Sequence, residues 1–519
     1  MVTRRQILRA GAGALASCAA PASTRADRSA ETARGRVVEV LKGATRGIGG
    51  VLVSNGLEVV RSDAEGGYTL PARDGVFVVK PAHWTVPLDI RTGVPCFYYT
   101  HKPTGSPEGL KHGGLKATGP LPSSIDFVLE RAPELKFFSA ALFADPQPAN
   151  HQELSFLRRT MDKMCARQDF AFGLALGDIA SDNLHVYQDY QKETARLGAP
   201  VWHIPGNHDH DYDAPDVHSR LDTWRARFGP PTYAFEYAGA LFVMLDNVSV
   251  RADGSYAGEI GPHGLAFVRN LLDFTPRDKL VVVCTHIPLT SSYSDDPSCT
   301  TSDRHALLNL LAGRRAVSFA GHMHTSEHHY LPAVSGSHHH QVVSALSGSW
   351  WSGPFDSTGQ PLAISSDGTP HGWHVLSVDG ADYHTEFVPA REEAIARVIV
   401  GGAARVAISD APLEVVHGAP SPFGLMLNVF EGGPRTSVFV DLDGERHALR
   451  RVHEKDPYTE ALFRTAGETL KYWVRAEASS HIWALEAPGV PPAVLARARL
   501  TIVDEYGRSR LEGAPLFQS

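Results

Sequence analysis

Five short polar clusters carry the residue types that bind metals and move protons. They are Asp145-x-Gln147, Gly177-Asp178, Gly206-Asn207-His208-Asp209, His286 and Gly321-His322-x-His324. Carboxylates and imidazoles ligate divalent ions, and imidazole is the side chain that exchanges a proton near neutral pH. The chain's 26 His, many of them clustered, point toward the same chemistry. The stretch "ALFADPQPANH" shows the local pattern: an apolar run from Phe137 to Ala144 stops at Asp145, and Gln147 follows two positions later. A carboxylate at the carboxyl end of a strand is well placed to hold a metal, whereas glutamine is a poor second ligand. Alone, the stretch reads as a metal site, a damaged metal site or a turn. A lone Gly-Asp is usually a turn, and a lone His after an apolar strand is usually a core residue. The order of all five, and their common strand context, is what makes them specific.

The elements that must position these clusters alternate between strand and helix from about residue 133 to 388. Strands "LKFFSAALFA", "FAFGLALGD", "VWHIPGNHD", "KLVVVCTH" and "RAVSFAGHMH" are expected there. Between them come an amphipathic helix in "HQELSFLRRTMDKMCARQ", helices near 185–198, 216–228 and 263–274, a hairpin in "YAFEYAGALFVMLDN" and a helix in "DRHALLNLL". This alternation predicts an α/β domain, in which ligands gather beyond the carboxyl ends of the strands. Every cluster sits at such an end. Residues 34–132 read instead as short Val-rich strands with turns at Asn55-Gly56 and Asp63 to Gly67. Residues 395–519 return to β runs, including "RVAISD", "MLNVFEG", "TSVFVDLDG", "TLKYWVRAEA" and "ARARLTIVDEYG", a second β-sandwich candidate.

Taken in order, the clusters resemble the calcineurin-like metallophosphoesterase superfamily, whose pattern is D-x-H, GD, GNH(D/E), H, GHxH. The resemblance covers Asp145 to His324 and implies an α/β-sandwich core, two sheets flanked by helices, with two divalent ions. By position, Asp145, Gln147, Asp178 and His324 would hold one metal. Asp178 would bridge to a second, held with Asn207, His286 and His322. A metal-bridging hydroxide would attack the ester, His208 would protonate the leaving oxygen, and Asp209 would orient the His208 ring. Glycines 177, 206 and 321 would let the backbone turn tightly. With two carboxylate ligands and the hydroxide the site keeps a net charge of about +1, suited to an anionic phosphate.

Gln147 departs from the family's His, as does a calcineurin-like phosphatase family with an S/A-D-P-Q motif. Both side chains are neutral, so the charge balance survives. An amide oxygen is the harder, weaker donor, so this site should favour Mn or Fe, with Zn still admissible. Beyond it, "LSGSWWSGPFDSTGQPLAISSDGTPHGWHVLSVDG" resembles the C-terminal part of the domain in three-part bacterial members. Trp350 and Trp351 read either as a substrate-stacking cleft wall or as junction filler. Residues 34–132 resemble a prealbumin-like or carboxypeptidase-regulatory-like sandwich. Asp182, His210 and Asp211 are expected to be solvated rather than catalytic. His328-His329 and His338-His339-His340 are expected on a surface hairpin.

The first 26 residues resemble a twin-arginine export signal, with Thr3-Arg4-Arg5-Gln6-Ile7-Leu8-Arg9 ahead of an Ala/Gly stretch too short to span a bilayer. Leu15-Ala16-Ser17-Cys18 resembles a lipoprotein box, which would lipidate Cys18; cleavage after Thr24-Arg25-Ala26 is the rival. The expectation is a periplasmic or cell-surface protein, tethered to the membrane if Cys18 is lipidated. Of the other cysteines, Cys284 reads as a buried hydrophobe, while Cys96 or Cys299 could pair. Net charge −8 with no basic stripe argues against nucleic acid as partner. The leading reading is an exported metal-dependent phosphoric ester hydrolase acting on mono- or diesters. Its rivals are a membrane-tethered phosphatase for proteins or phospholipid headgroups, and a catalytically silent cell-surface binding module.

Overall fold

The computed structural model describes residues 31–167, 170–391, 394–400, 405–407, 413–417, 423–485, 491–495 and 497–516. The Arg4-Arg5 segment and the Cys18 box lie outside these residues.

The central domain is built on two sheets. One has five strands, in the order Val201–Ile204, Phe170–Leu176, Phe137–Phe143, Gly372–Asp379 and Asp382–Pro389. The first three run parallel, and Phe137–Phe143 pairs antiparallel with Gly372–Asp379. The other has six strands: Tyr233–Tyr237, Ala240–Met244, Leu280–Cys284, Ala316–Ala320, Gly336–Val342 and Glu327–Ala333. Its four inner strands are parallel. Between the sheets the rings of Phe138, Phe172, Phe235 and Phe242 meet at centroid distances of 4.9–6.1 Å. Burial of such an aromatic layer is the main force holding the sheets face to face.

Helices cover the outer faces. His151–Ala166 starts where the Asn150 side chain accepts the Glu153 N–H, and it buries Leu154, Leu157, Met161 and Met164, a stripe at helical spacing. Tyr187–Ala195 packs beside it, while Gly261–Leu272 and Arg304–Leu310 lie on the second sheet. Cys284 is fully buried, and Cys96, Cys165 and Cys299 are all free thiols.

The N-terminal part carries two four-stranded sheets and a two-stranded one, and its core is continuous with the central one: Phe77 meets Phe267 at 5.9 Å and Phe97 meets Trp202 at 5.1 Å. Its segment 101–119 leaves the sheets and runs over the central domain, with Lys111 paired to Asp213 at 2.8 Å and His112 against His185. The C-terminal part has a six-stranded and a four-stranded sheet with its own apolar core.

Its docking onto the central domain is polar and buried. The loop at Asp367-Gly368 enters it, where Arg397 donates to the Gly368 carbonyl and Asn428 to that of Asp367. A Cβ on Gly368 would stand 2.5 Å from both Asn428 Nδ2 and Asp456 Oδ2. His374 and His481 add ion pairs to Glu431 and Asp367, each at 3.0 Å.

Two expectations are corrected. "TLKYWVRAEA" is not a strand: only Ala478 begins one, and the residues before it leave the sandwich. A helix, Pro457–Ala466, precedes it, started by Asp456 accepting the Tyr458 and Thr459 N–H groups with proline in the first turn. The histidines of the Glu327–Val342 hairpin are not on the surface. His328, His338, His339 and His340 are at most 6% exposed, because Tyr383 and the C-terminal Tyr506 close over this edge of the sheet. Ser318 Oγ bridges His338 and His340, so they are satisfied core residues.

Candidate metal centre

The carboxyl ends of the two sheets meet at one point. The first sheet delivers Asp145, Asp178 and Asn207, and the second delivers His286, His322 and His324. Neither sheet holds a complete ligand set, so the site exists only where the two abut. Asp178, His286 and His322 present ligand atoms within 4.8 Å of one another. His286 Nε2 lies 3.1 Å from Asn207 Oδ1 and 3.4 Å from Asp178 Oδ1. On the other side His324 Nε2 is 3.6 Å from Asp145 Oδ1.

The backbone at the site is strained in a consistent way. Asp145, Gln147, Asp178, His322 and His324 all have positive φ, between 36° and 73°. Such conformations persist only where surrounding structure enforces them, and they concentrate at functional sites. Hydrogen bonds between the loops do the enforcing: Asp145 N–H donates to the Gly177 carbonyl, Gln147 N–H to that of Asp178, and His322 N–H to the Asp145 carboxylate.

Of the three glycines, Gly177 alone has positive φ, at 88°. Gly206 and Gly321 serve close approach rather than turning. A Cβ on Gly206 would fall 2.1 Å from Asp178 Oδ1, and one on Gly321 would fall 2.5 Å from Asp145 Oδ2.

The donor set fits divalent ions. His286 Nδ1 and His324 Nδ1 lie 2.8 and 2.6 Å from the carbonyls of Leu176 and Gly348, an arrangement that places the proton on Nδ1 and frees Nε2 toward the cluster. Gln147 Nε2 donates to Asp178 Oδ2 at 2.9 Å. That leaves Gln147 Oε1 buried without a partner, as is Asp145 Oδ1. Two buried acceptors with no donor beside them fit a divalent cation. Burial pushes the Asp145 carboxyl up, to about 7. Asp178 resists the same burial because His286 and His208 hold it below the ordinary carboxylate range.

His208 stands at the rim, its Nε2 4.0 Å from Asp178 Oδ2 and its Nδ1 2.8 Å from Asp182 Oδ1. Burial disfavours its cation, but Asp178 and Asp182 outweigh this and raise it to about 9. The expected role of Asp209 is therefore corrected: Asp182, half exposed on the adjacent loop, orients the ring. Asp209 is fully buried and points the other way, accepting from the backbone N–H groups of Ile179, Ala180 and Gly206 and from the Tyr187 hydroxyl. It ties two ligand loops together. His210 and Asp211 are buried rather than solvated.

The two tryptophans separate. Trp350 lies flat on His324, centroids 4.0 Å apart, and is partly open to the cleft. Trp351 does not reach the cleft. It is 3% exposed, and its indole N–H donates to the Pro146 carbonyl at 2.7 Å, so it braces the Asp145 loop from behind.

Two further residues belong to the site. Asn247, fully buried, accepts the backbone N–H groups of His286 and Ile287 through Oδ1, both at 3.1 Å, and so positions the His286 loop. Its signal in the sequence was a polar residue closing the apolar run "ALFVMLDN". Tyr256 meets the His322 ring edge-on at 6.0 Å; nothing in the sequence marked it.

Three family models match the chain. The calcineurin-like phosphoesterase family matches residues 139–326, and the N-terminal and C-terminal domains of calcineurin-like phosphoesterases match residues 32–112 and 340–509. Among solved structures, a purple acid phosphatase from yellow lupin (Lupinus luteus) seeds is 12% identical, with a TM-score of 0.36 over 69% of this chain and 66% of its own, just under two thirds. PhoD is 11% identical, with a TM-score of 0.36 over 69% of this chain and 88% of its own. No curated protein matches the sequence. With the core and both flanking domains accounted for, the chain belongs to the calcineurin-like phosphoesterases.

Proposed function

We propose that the protein is an exported phosphoric ester hydrolase that works with two divalent ions, Mn or Fe before Zn, and prefers diesters to monoesters. Asp145, Gln147, Asp178 and His324 would hold one ion, and Asp178, Asn207, His286 and His322 the other. When bound, the ions supply Lewis acidity toward the phosphoryl oxygens and an acidified water for attack. His208 Nε2 faces the cleft and delivers a proton to the departing oxygen, while Asp182 keeps Nδ1 protonated and the ring aimed. Asn247 and Asp209 hold the ligand loops in register.

The observation that carries this reading is the paired orphan acceptors, Asp145 Oδ1 and Gln147 Oε1, beside a proton-bearing His208. The diester preference follows from charge. A site of about +1 matches the single charge of a diester better than the double charge of a monoester. The export assignment rests on the Arg4-Arg5 segment and "LASC" alone.

The test is to strip the protein of metal, restore Mn, Fe or Zn separately, and assay paired mono- and diesters. Metal-restored turnover with a diester ahead of its monoester supports the proposal; bound metal with no turnover of either ester sinks it.

A further inference from the structure

The segment that failed to form a strand returns to the metal centre from another domain. Residues 467–475 are pinned onto the central domain at three points. Gly353 N–H donates to the Thr469 carbonyl at 3.0 Å, the Leu470 side chain would meet a Cβ on Gly353 at 3.6 Å, and Lys471 Nζ pairs with Glu153 at 3.1 Å. So fixed, the segment presents two aromatic rings. Trp473 meets Trp350 edge-to-face at 6.1 Å and an interplanar angle of 85°, and Tyr472 meets Trp473 at 4.9 Å and 87°. Trp350 is itself stacked on His324. A row of rings therefore leads outward from a metal ligand to the surface.

These rings are held open to solvent. Tyr472 is 88% exposed and Trp473 47%. Trp350 sits in a left-handed backbone conformation, φ 53°, with its ring flat on His324. Exposed adjacent aromatics joined to a reaction centre mark a binding surface rather than a packing fault. Lys471, whose Nζ lies 6.0 Å from the Trp473 ring centroid, is paired with Glu153.

We infer that Trp350, Trp473 and Tyr472 form a subsite that stacks a neutral planar ring, aryl or heteroaryl, attached to the phosphate held at the metals. The C-terminal domain thereby contributes to substrate selection. This rests on the hydrolase reading above and specifies the substrate class of that site.

The test is binding rather than turnover. Calorimetry with the full-length, metal-loaded protein would compare phenylphosphonate with methylphosphonate, which differ in the ring alone. Wild type should bind the phenyl compound about tenfold more tightly. Trp473→Ala and Tyr472→Ala should each erode that ratio, and Trp473→Phe should keep most of it. Tyr472 packs into no core, so its variant stays informative if Trp473→Ala disturbs the fold. No phenyl preference in wild type, or one that survives in both alanine variants, overturns the inference. Failure of the hydrolase reading would look different: neither phosphonate would show metal-dependent binding, and no ester would turn over.

Discussion

His208 Nδ1 lies 2.8 Å from Asp182 Oδ1, on the opposite side of the ring from the Asp178 carboxylate. The histidine is thus held between a rim carboxylate that orients it and a buried one that faces the metals. Its neighbour in sequence, Asp209, takes no part in this contact.

Removing the proton donor should slow the reaction without emptying the site. For His208→Ala the expected loss is roughly 10²–10⁴-fold on esters with poor leaving groups, with metal content retained. Nitrophenyl esters should suffer much less. Asp182→Asn should reproduce a weaker form of the same leaving-group dependence, roughly tenfold. Asp209→Asn should instead lower thermal stability and metal content together, since it cuts a tie between loops. Parallel metal analysis, melting and a leaving-group series separate the three variants.

Gln147→His should tighten the first metal position, for Zn above all, because imidazole replaces a hard amide oxygen. Wild type should lose activity on dialysis and regain it with Mn or Fe, whereas the variant should keep its metal. Equal retention by both forms would mean that Gln147 Oε1 holds no ion.

Gly206→Ala tests the close approach of loops. The added methyl would need the space of the Asp178 carboxylate, so the bridging position should be displaced. The expected result is a loss of both metals and a destabilisation of about 1–3 kcal/mol, read by metal analysis and denaturant unfolding.

Acid should loosen the C-terminal domain first. Burial pushes Glu431 up, but its hydrogen bond and ion pair with His374 outweigh this and hold it below its ordinary value of 4.5. Asp367 is depressed in the same way beside His481. A depressed carboxyl contributes stability that is complete above its unfolded value and is lost as the pH falls below it. Thermal stability should therefore decline below about pH 4.5. Glu431→Gln should be less stable at neutral pH and show a shallower acid dependence, measured as melting temperature against pH.

The sequence by itself determined the central domain and the residues that the two sheets bring together as a candidate ligand set. Strand and helix periodicity located the alternating elements because each buries one face, and that requirement is written locally in the chain. The five clusters were legible because each follows the end of an apolar run. Three things were decided only by tertiary structure. Which carboxylate faces His208 depends on how the Asp178–Asp182 loop folds back, and spacing does not record the direction of a side chain. Whether His338 to His340 are exposed depends on Tyr383 and Tyr506, which are far away in the chain. "TLKYWVRAEA" alternates like a strand, yet Lys471 finds Glu153, 318 residues earlier in sequence, and the segment crosses to the metal centre instead. Long-range contacts of this kind override local pattern because their energy comes from partners that a window of neighbouring residues does not contain.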